Sequence, residues 1–133
     1  MRVREVDRFK YKVFLKKADE FQLEMRDALK KSRWNAAGLN GIHCMISSCD
    51  ALTTYFLGKR SASTRHEDVI KLVAEIKDID DPVRKDRTNQ IISILRPKTK
   101  VEYNSVLFSE GETHILVKQV ERFYSWVKSI LPK

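Results

Sequence analysis

Apolar residues recur at three- and four-residue intervals along most of the chain, and the stripes they form predict five helices. Phe14, Ala18, Phe21, Met25 and Ala28 make one stripe in a segment running from about Asp7 to Lys31. A second helix is expected from about Trp34 to Leu57, with Ser32 as its N-cap and Gly58 suited to the left-handed position that closes it. Thr64-Arg65-His66-Glu67 has the capping-box pattern, so a third helix should start there and turn Val69, Ile70, Val73 and Ile76 inward. Asp81-Pro82 supplies the next N-cap and a proline at the first helical position. That helix carries Ile91, Ile92 and Leu95 and is expected to stop at Pro97. Ser109-Glu110-Gly111-Glu112 repeats the capping box and opens a fifth helix, whose seam is Leu116, Val120, Phe123, Val127 and Ile130. The segment from Lys98 to Phe108 is too short to found a sheet and reads as an ordered connection with some extended character. Long amphipathic helices joined by short connections predict an all-α, antiparallel up-and-down bundle in a single domain spanning residues 1–133.

Composition supports a packed helical domain. Hydrophobic residues make up 42% and charged residues 33%, with four Gly and three Pro, which excludes a disordered chain and a turn-rich sandwich. The formal net charge of +8 favours an anionic partner such as nucleic acid, a nucleotide or an acidic protein. Eleven Lys or Arg face six Asp or Glu between Met1 and Arg33, an excess that also suits a simple solvated helix face. No apolar run approaches the ~20 residues that span a bilayer, and the first residues alternate charges, so a cytoplasmic protein with no membrane contact is expected. Cys44 and Cys49 lie about 140° apart around one helix and cannot pair with each other. They read as packing residues in a reducing compartment, and no metal-ligand spacing or cofactor motif is present in the sequence.

One helix departs from the ordinary amphipathic pattern. Asn40, His43, Ser47, Asp50 and Thr54 step by three and four along the second helix, and Asp50 is the sole formally charged residue between Trp34 and Gly58. A solvent-facing stripe would carry Lys and Glu, so this helix is expected to be buried on most sides. The seam then has three readings: a buried polar network that fixes helix register, the wall of a ligand crevice, or a homodimer interface. In each, a buried Asp50 needs a cation, for which Arg60 or an N-terminal Arg or Lys is available.

Just beyond Gly58, Lys59, Arg60, Ser63, Thr64, Arg65 and His66 place cations, hydroxyls and an imidazole at the mouth of a predicted helix N-terminus. Free backbone N–H groups, hydroxyl donors and a guanidinium fork together suit a phosphate. The helix dipole favours the neutral form of His66, which is the form a general base requires. RNA cleavage through the 2′-hydroxyl needs a group to take that proton and positive charge on the phosphate, roles open to His66 and Arg60. The alternative is an ordinary first-turn histidine and a surface arginine, and His114 reads as a surface residue. No Gly-rich phosphate loop, catalytic carboxylate pair, Ser/His/Asp set or metal-ligand cluster is visible, which disfavours a conventional NTPase or metallo-hydrolase.

Trp34-Asn35-Ala36-Ala37-Gly38-Leu39-Asn40-Gly41-Ile42-His43, Ser48-Cys49-Asp50-Ala51-Leu52-Thr53, Gly58-Lys59-Arg60 with His66-Glu67, Val101-Glu102-Tyr103 and Glu121-Arg122-Phe123-Tyr124-Ser125-Trp126-Val127 together resemble the HEPN domains (higher eukaryotes and prokaryotes nucleotide-binding) over nearly the whole chain. The resemblance implies a four-helix up-and-down bundle with an additional short helix, and frequent homodimerisation with two polar clefts meeting. Many members are metal-independent ribonucleases with an R-x(4–6)-H motif, which Arg60-x5-His66 matches, so the family's catalytic roles would pass to those two residues. Ser61 stands where active members often carry Asn, Asp or His, and the family's pair often lies within a helix. Other members are binding or partner modules. Three functions follow as expectations: a ribonuclease of a toxin or defence system, a non-catalytic nucleotide or RNA binder through Asn40, His43, Ser47, Asp50, Lys59, Ser63 and Thr64, and an antitoxin- or adaptor-like unit for a protein partner.

Overall fold

Ser32, expected to open the second helix, instead closes the first. In the computed structural model its φ is +56°, and the Ser32 and Arg33 N–H groups donate back to the carbonyls of Leu29 and Ala28 at 3.1 and 2.9 Å. That pair of bonds is a Schellman closure with a serine in the left-handed position usually held by glycine. The second helix consequently starts from Arg33 with no side-chain cap. The description covers residues 1–62 and 66–133, without the side chains at 66, 99, 100, 102 and 103.

Five α-helices and one two-stranded ribbon make up the described chain: β1 (Val3–Glu5), a single 3-10 turn (Arg8–Lys10), α1 (Tyr11–Lys30), α2 (Trp34–Leu57), β2 (Lys59–Ser61), α3 (His66–Ala74), α4 (Asp81–Tyr103) and α5 (Glu110–Ile130). The fold is all-α, as the periodicity predicts. α2 lies at its centre, packed most extensively along α1 and next along α5, with α3 and α4 also against it. Its burial follows from its composition: Gly38, Gly41, Ala37 and Ala51 let neighbours approach, while Ile42, Met45, Cys49 and Leu52 fill the core. At Gly38 the buried Phe108 ring lies so close that an added Cβ would be 2.7 Å from its Cδ2.

The ribbon replaces what the sequence presents as a loop. β1 and β2 pair antiparallel, Arg4 opposite Arg60, and the pairing is extended by Val6 N–H to the Gly58 carbonyl and Ala62 N–H to the Arg2 carbonyl. Gly58 (φ +66°) makes this possible by closing α2 in the left-handed conformation, which turns the chain straight into the strand. Arg60 thereby has a fixed backbone.

Pro97 does not end α4, which continues six residues past it. The ring removes one backbone hydrogen bond, but Ile91, Ile94, Leu95 and Lys98 are buried and Val101 packs on the core, so the inward face runs on through the proline. The extended connection expected from Lys98 to Phe108 shrinks accordingly to residues 104–109. α5 opens as expected: Ser109 Oγ accepts from Glu112 N–H, and the Glu112 carboxylate accepts from Ser109 N–H, both at 3.1 Å. Thr64, the expected cap of α3, lies outside the described residues. No helix among the described residues is long and apolar enough to cross a membrane.

Candidate functional site

Asp50 meets the cation it requires. Its Oδ2 lies 3.4 Å from Arg60 Nη1, bringing the middle of α2 to the ribbon. The Asp50 side chain is 13% exposed, and burial pushes its carboxyl up to about 6, against the opposing pull of Arg60 and Lys17. The Arg60 guanidinium carbon also sits 5.0 Å from the centre of the Phe14 ring, and Lys17 Nζ lies 5.6 Å from the same ring. Two cations and one aromatic face of α1 thus surround a carboxyl of α2.

These groups line one open crevice of about 560 Å³ between α1 and α2. Asn40, Ser47 and Asp50 form its α2 wall; Phe14, Lys17, Glu20, Phe21, Leu23 and Glu24 form its α1 wall; Arg60 closes one end. Asn40 Nδ2 donates to the Ala36 carbonyl at 2.9 Å, which holds the amide against its own helix. The volume falls within the range of small-molecule sites. With three carboxyls against two cations, the crevice is not uniformly basic. It can accept hydrogen bonds from ligand donors along most of its length and offers positive charge chiefly at the Arg60 end.

The five seam positions therefore part company. Asn40, Ser47 and Asp50 face the crevice, whereas His43 is exposed and stacks on Phe21, ring centres 5.2 Å apart. Thr54 is wholly enclosed, and its hydroxyl has no hydrogen-bond partner among the described residues. Lys59 is half-buried on β2 opposite Glu5 and is not part of the crevice lining. His66 begins α3, but its side chain, like Ser63, Thr64 and Arg65, lies outside the described residues. His114 is half-exposed, 3.8 Å from Glu110 and tilted on Trp34.

The α1 wall was hidden in the sequence because Phe14 and Phe21 read as core stripe and Lys17, Glu20 and Glu24 as solvated face. The usable signal was that these charged residues flank the apolar stripe at three- and four-residue spacing, on the side that α2 presents with Asn40, Ser47 and Asp50. Cys44 and Cys49 are free and buried. Burial pushes the Cys44 thiol up to about 12 and Cys49 well above its ordinary value, so neither is a ready nucleophile. Among the described residues no group of three or more His, Cys, Asp or Glu is placed to hold a metal ion. No protein-family model and no curated protein matches the chain.

Proposed function

We propose that this chain is a HEPN-like helical module that binds a nucleotide, free or within RNA, in the α1–α2 crevice. The observation that carries this reading is the convergence of Arg60, Asp50 and the Phe14 and Phe21 rings on one open cavity. An aromatic wall receives a base, carboxyls and an amide take the donors of base and ribose, and the guanidinium at one end takes the phosphate. Three carboxyls against two cations in the lining suit a nucleoside portion better than a run of phosphates. Titration with nucleoside monophosphates and a short single-stranded RNA at low salt tests it, with Arg60→Ala expected to weaken binding about tenfold, the loss of one good charged contact. Absence of detectable binding to either ligand at low salt would sink it.

The Arg60-x5-His66 spacing favours a second reading, cleavage of the bound RNA without metal. Incubation with RNA in excess EDTA decides it: activity no greater than that of an Arg60→Ala, His66→Ala double variant leaves only the binding function. Homodimerisation belongs to the same proposal, and light scattering checks it against the 15.6 kDa of one chain.

A further inference from the structure

A second cleft, of about 670 Å³, lies on the other side of α1, where Arg26 and Glu121 meet Arg87 of α4 and Arg122, Ser125 and Trp126 of α5. Its charges are not balanced internally. Both Glu121 oxygens are already engaged, accepting from Arg26 Nε at 2.8 Å, Arg26 Nη2 at 3.3 Å and Gln22 Nε2 at 3.2 and 3.3 Å. Arg87 has no carboxylate in ion-pair contact among the described residues; its Nη1 donates to Gln90 Oε1 at 3.0 Å, and the neighbouring Asp86 acts on it only at longer range. Partial burial without a counter-ion disfavours its charged form, the opposite of the effect Glu121 has on Arg26. No carboxylate among the described residues contacts this guanidinium, so an anion reaching it would gain a charge-assisted bond.

The position of Arg87 is set rather than free. Its guanidinium carbon lies 4.8 Å from the centre of the Trp126 ring, and Trp126 in turn packs on the buried Phe123. Guanidinium on indole holds the donor fork in place and leaves donors unspent beyond the one on Gln90. Along α5, Arg122, Ser125, Trp126 and Ser129 follow the i, i+3, i+4, i+7 pattern and so share one face about 10 Å long. A strip of that length, alternating cation, hydroxyl and aromatic, fits a chain of linked phosphates and bases better than a lone ion. An acidic peptide would use the cations but would leave the flat guanidinium of Arg87, backed by the Trp126 indole and able to stack a base, without that role.

We propose that the α4–α5 cleft is a binding site for single-stranded RNA, in which Arg87, seated on Trp126, and Arg122 hold phosphodiester oxygens. This site is separate from the α1–α2 crevice and does not depend on what that crevice binds. The cleft sets two guanidinium groups, one of them backed by an indole, on one open track where phosphates can be gripped and a base can stack on the guanidinium plane.

The test is fluorescence anisotropy of a labelled oligouridine over a potassium chloride series, with Arg122→Gln, Arg87→Gln and Arg60→Ala, alongside thermal melts of each variant. Arg122 is exposed, so its replacement leaves folding intact even if Arg87→Gln does not. Each of the two cleft variants is expected to weaken RNA binding several-fold and to flatten the salt dependence by about 0.7 in log–log slope, the value for one lost phosphate contact on a single strand. The Trp126 indole N–H resonance, assigned with Trp126→Phe, should shift during titration with RNA in wild type and in Arg60→Ala alike. Unchanged affinity and slope in Arg122→Gln overturns the proposal, as does a Trp126 resonance that stays still under RNA. Polyglutamate moving that resonance at concentrations where RNA does not would overturn it too, in favour of an acidic peptide. Loss of binding in Arg60→Ala with the cleft variants unaffected would place RNA in the crevice alone.

Discussion

Arg60 Nη1 stands 3.4 Å from Asp50 Oδ2, so the only charged residue of α2 is matched by a cation delivered from the strand that follows it. This pair is partly enclosed, with its arginine also lying on Phe14, and that geometry sets how each partner responds to loss of the other.

Arg60→Ala leaves the Asp50 carboxylate without its cation, at a cost of about 1–3 kcal/mol at pH 8. At pH 5 Asp50 is mostly protonated, given a carboxyl pushed up to about 6, and the cost should be smaller. Urea unfolding at the two pH values measures the difference. An equal loss at both would assign the effect to packing on Phe14 instead of charge.

Asp50 itself makes stability depend on pH in an uncommon direction. Its folded-state value, about 6, lies above the ordinary 3.8, so between those values the folded chain holds a proton that the unfolded chain releases. Stability from this group is therefore greatest below about pH 4, falls as pH rises toward 6, and is level beyond. Asp50→Asn removes the effect, and wild type should lose on the order of 2 kcal/mol relative to that variant between pH 4 and 7. A pH-independent difference between the two unfolding curves would refute this.

α2 boundaries, the closing Gly58 and the Ser109 capping box were all legible in the sequence, because each rests on local chemistry: a charge-free run, a left-handed glycine, a reciprocal pair of hydrogen bonds. The misreadings at Ser32 and Pro97 have a different origin. Ser32 has the side chain of an N-cap, but with two helices joined by so few residues one residue must reverse the chain, and the turn that closes α1 claims it. Pro97 is a helix breaker locally, yet Ile94, Lys98 and Val101 keep facing the interior across it, and tertiary packing outweighs one missing bond. Half of the crevice was legible as the polar positions of α2. Its α1 half was not, since charged residues beside an apolar stripe carry no local mark of the helix they will face.

Ser32→Gly should stabilise the protein by about 1 kcal/mol, the cost of holding a residue with a Cβ in the left-handed region. Its φ of +56° and the bonds that close α1 are all backbone properties that glycine keeps. A rise of a few degrees in Tm is the expected readout; an unchanged or lower Tm would show that the serine hydroxyl contributes more than its backbone costs.

Gly38→Ala and Gly41→Ala should differ although both glycines lie inside α2. An added Cβ at Gly38 would be 2.7–2.9 Å from Cδ2, Cε2 and Cγ of the enclosed Phe108 ring, which cannot yield without moving the α4–α5 connection. At Gly41 the nearest atoms, Leu116 Cδ2 at 2.9 Å and Met25 Sδ at 3.0 Å, are far ends of flexible side chains. Overpacking costs about 1–3 kcal/mol at Gly38, partly offset at both sites by the roughly 1 kcal/mol helix preference of Ala. Denaturant midpoints should fall clearly for Gly38→Ala and little for Gly41→Ala.

The two thiols provide a probe of the α2 core. With Cys44 pushed up to about 12 and Cys49 higher still, neither should react with an aromatic disulfide reagent at pH 8 in the native protein, and both should react in denaturant. Prompt reaction of either in the native state would mean that the core opens on the timescale of the assay.

The ribbon that holds Arg60 has kinetic consequences of its own. α1 and α2 are neighbours along the chain and can zip together early, whereas β1 with β2 joins Val3 to Ser61 and must close a long loop first. β1 is exposed at every position, so it has little burial to resist local opening. Amide exchange should accordingly be faster in β2 than in the middle of α2, and each opening of the ribbon releases the backbone that holds Arg60 at the crevice. The arginine that partners Asp50 therefore hangs on one of the least protected parts of the fold, and its ion pair should loosen whenever the two short strands part.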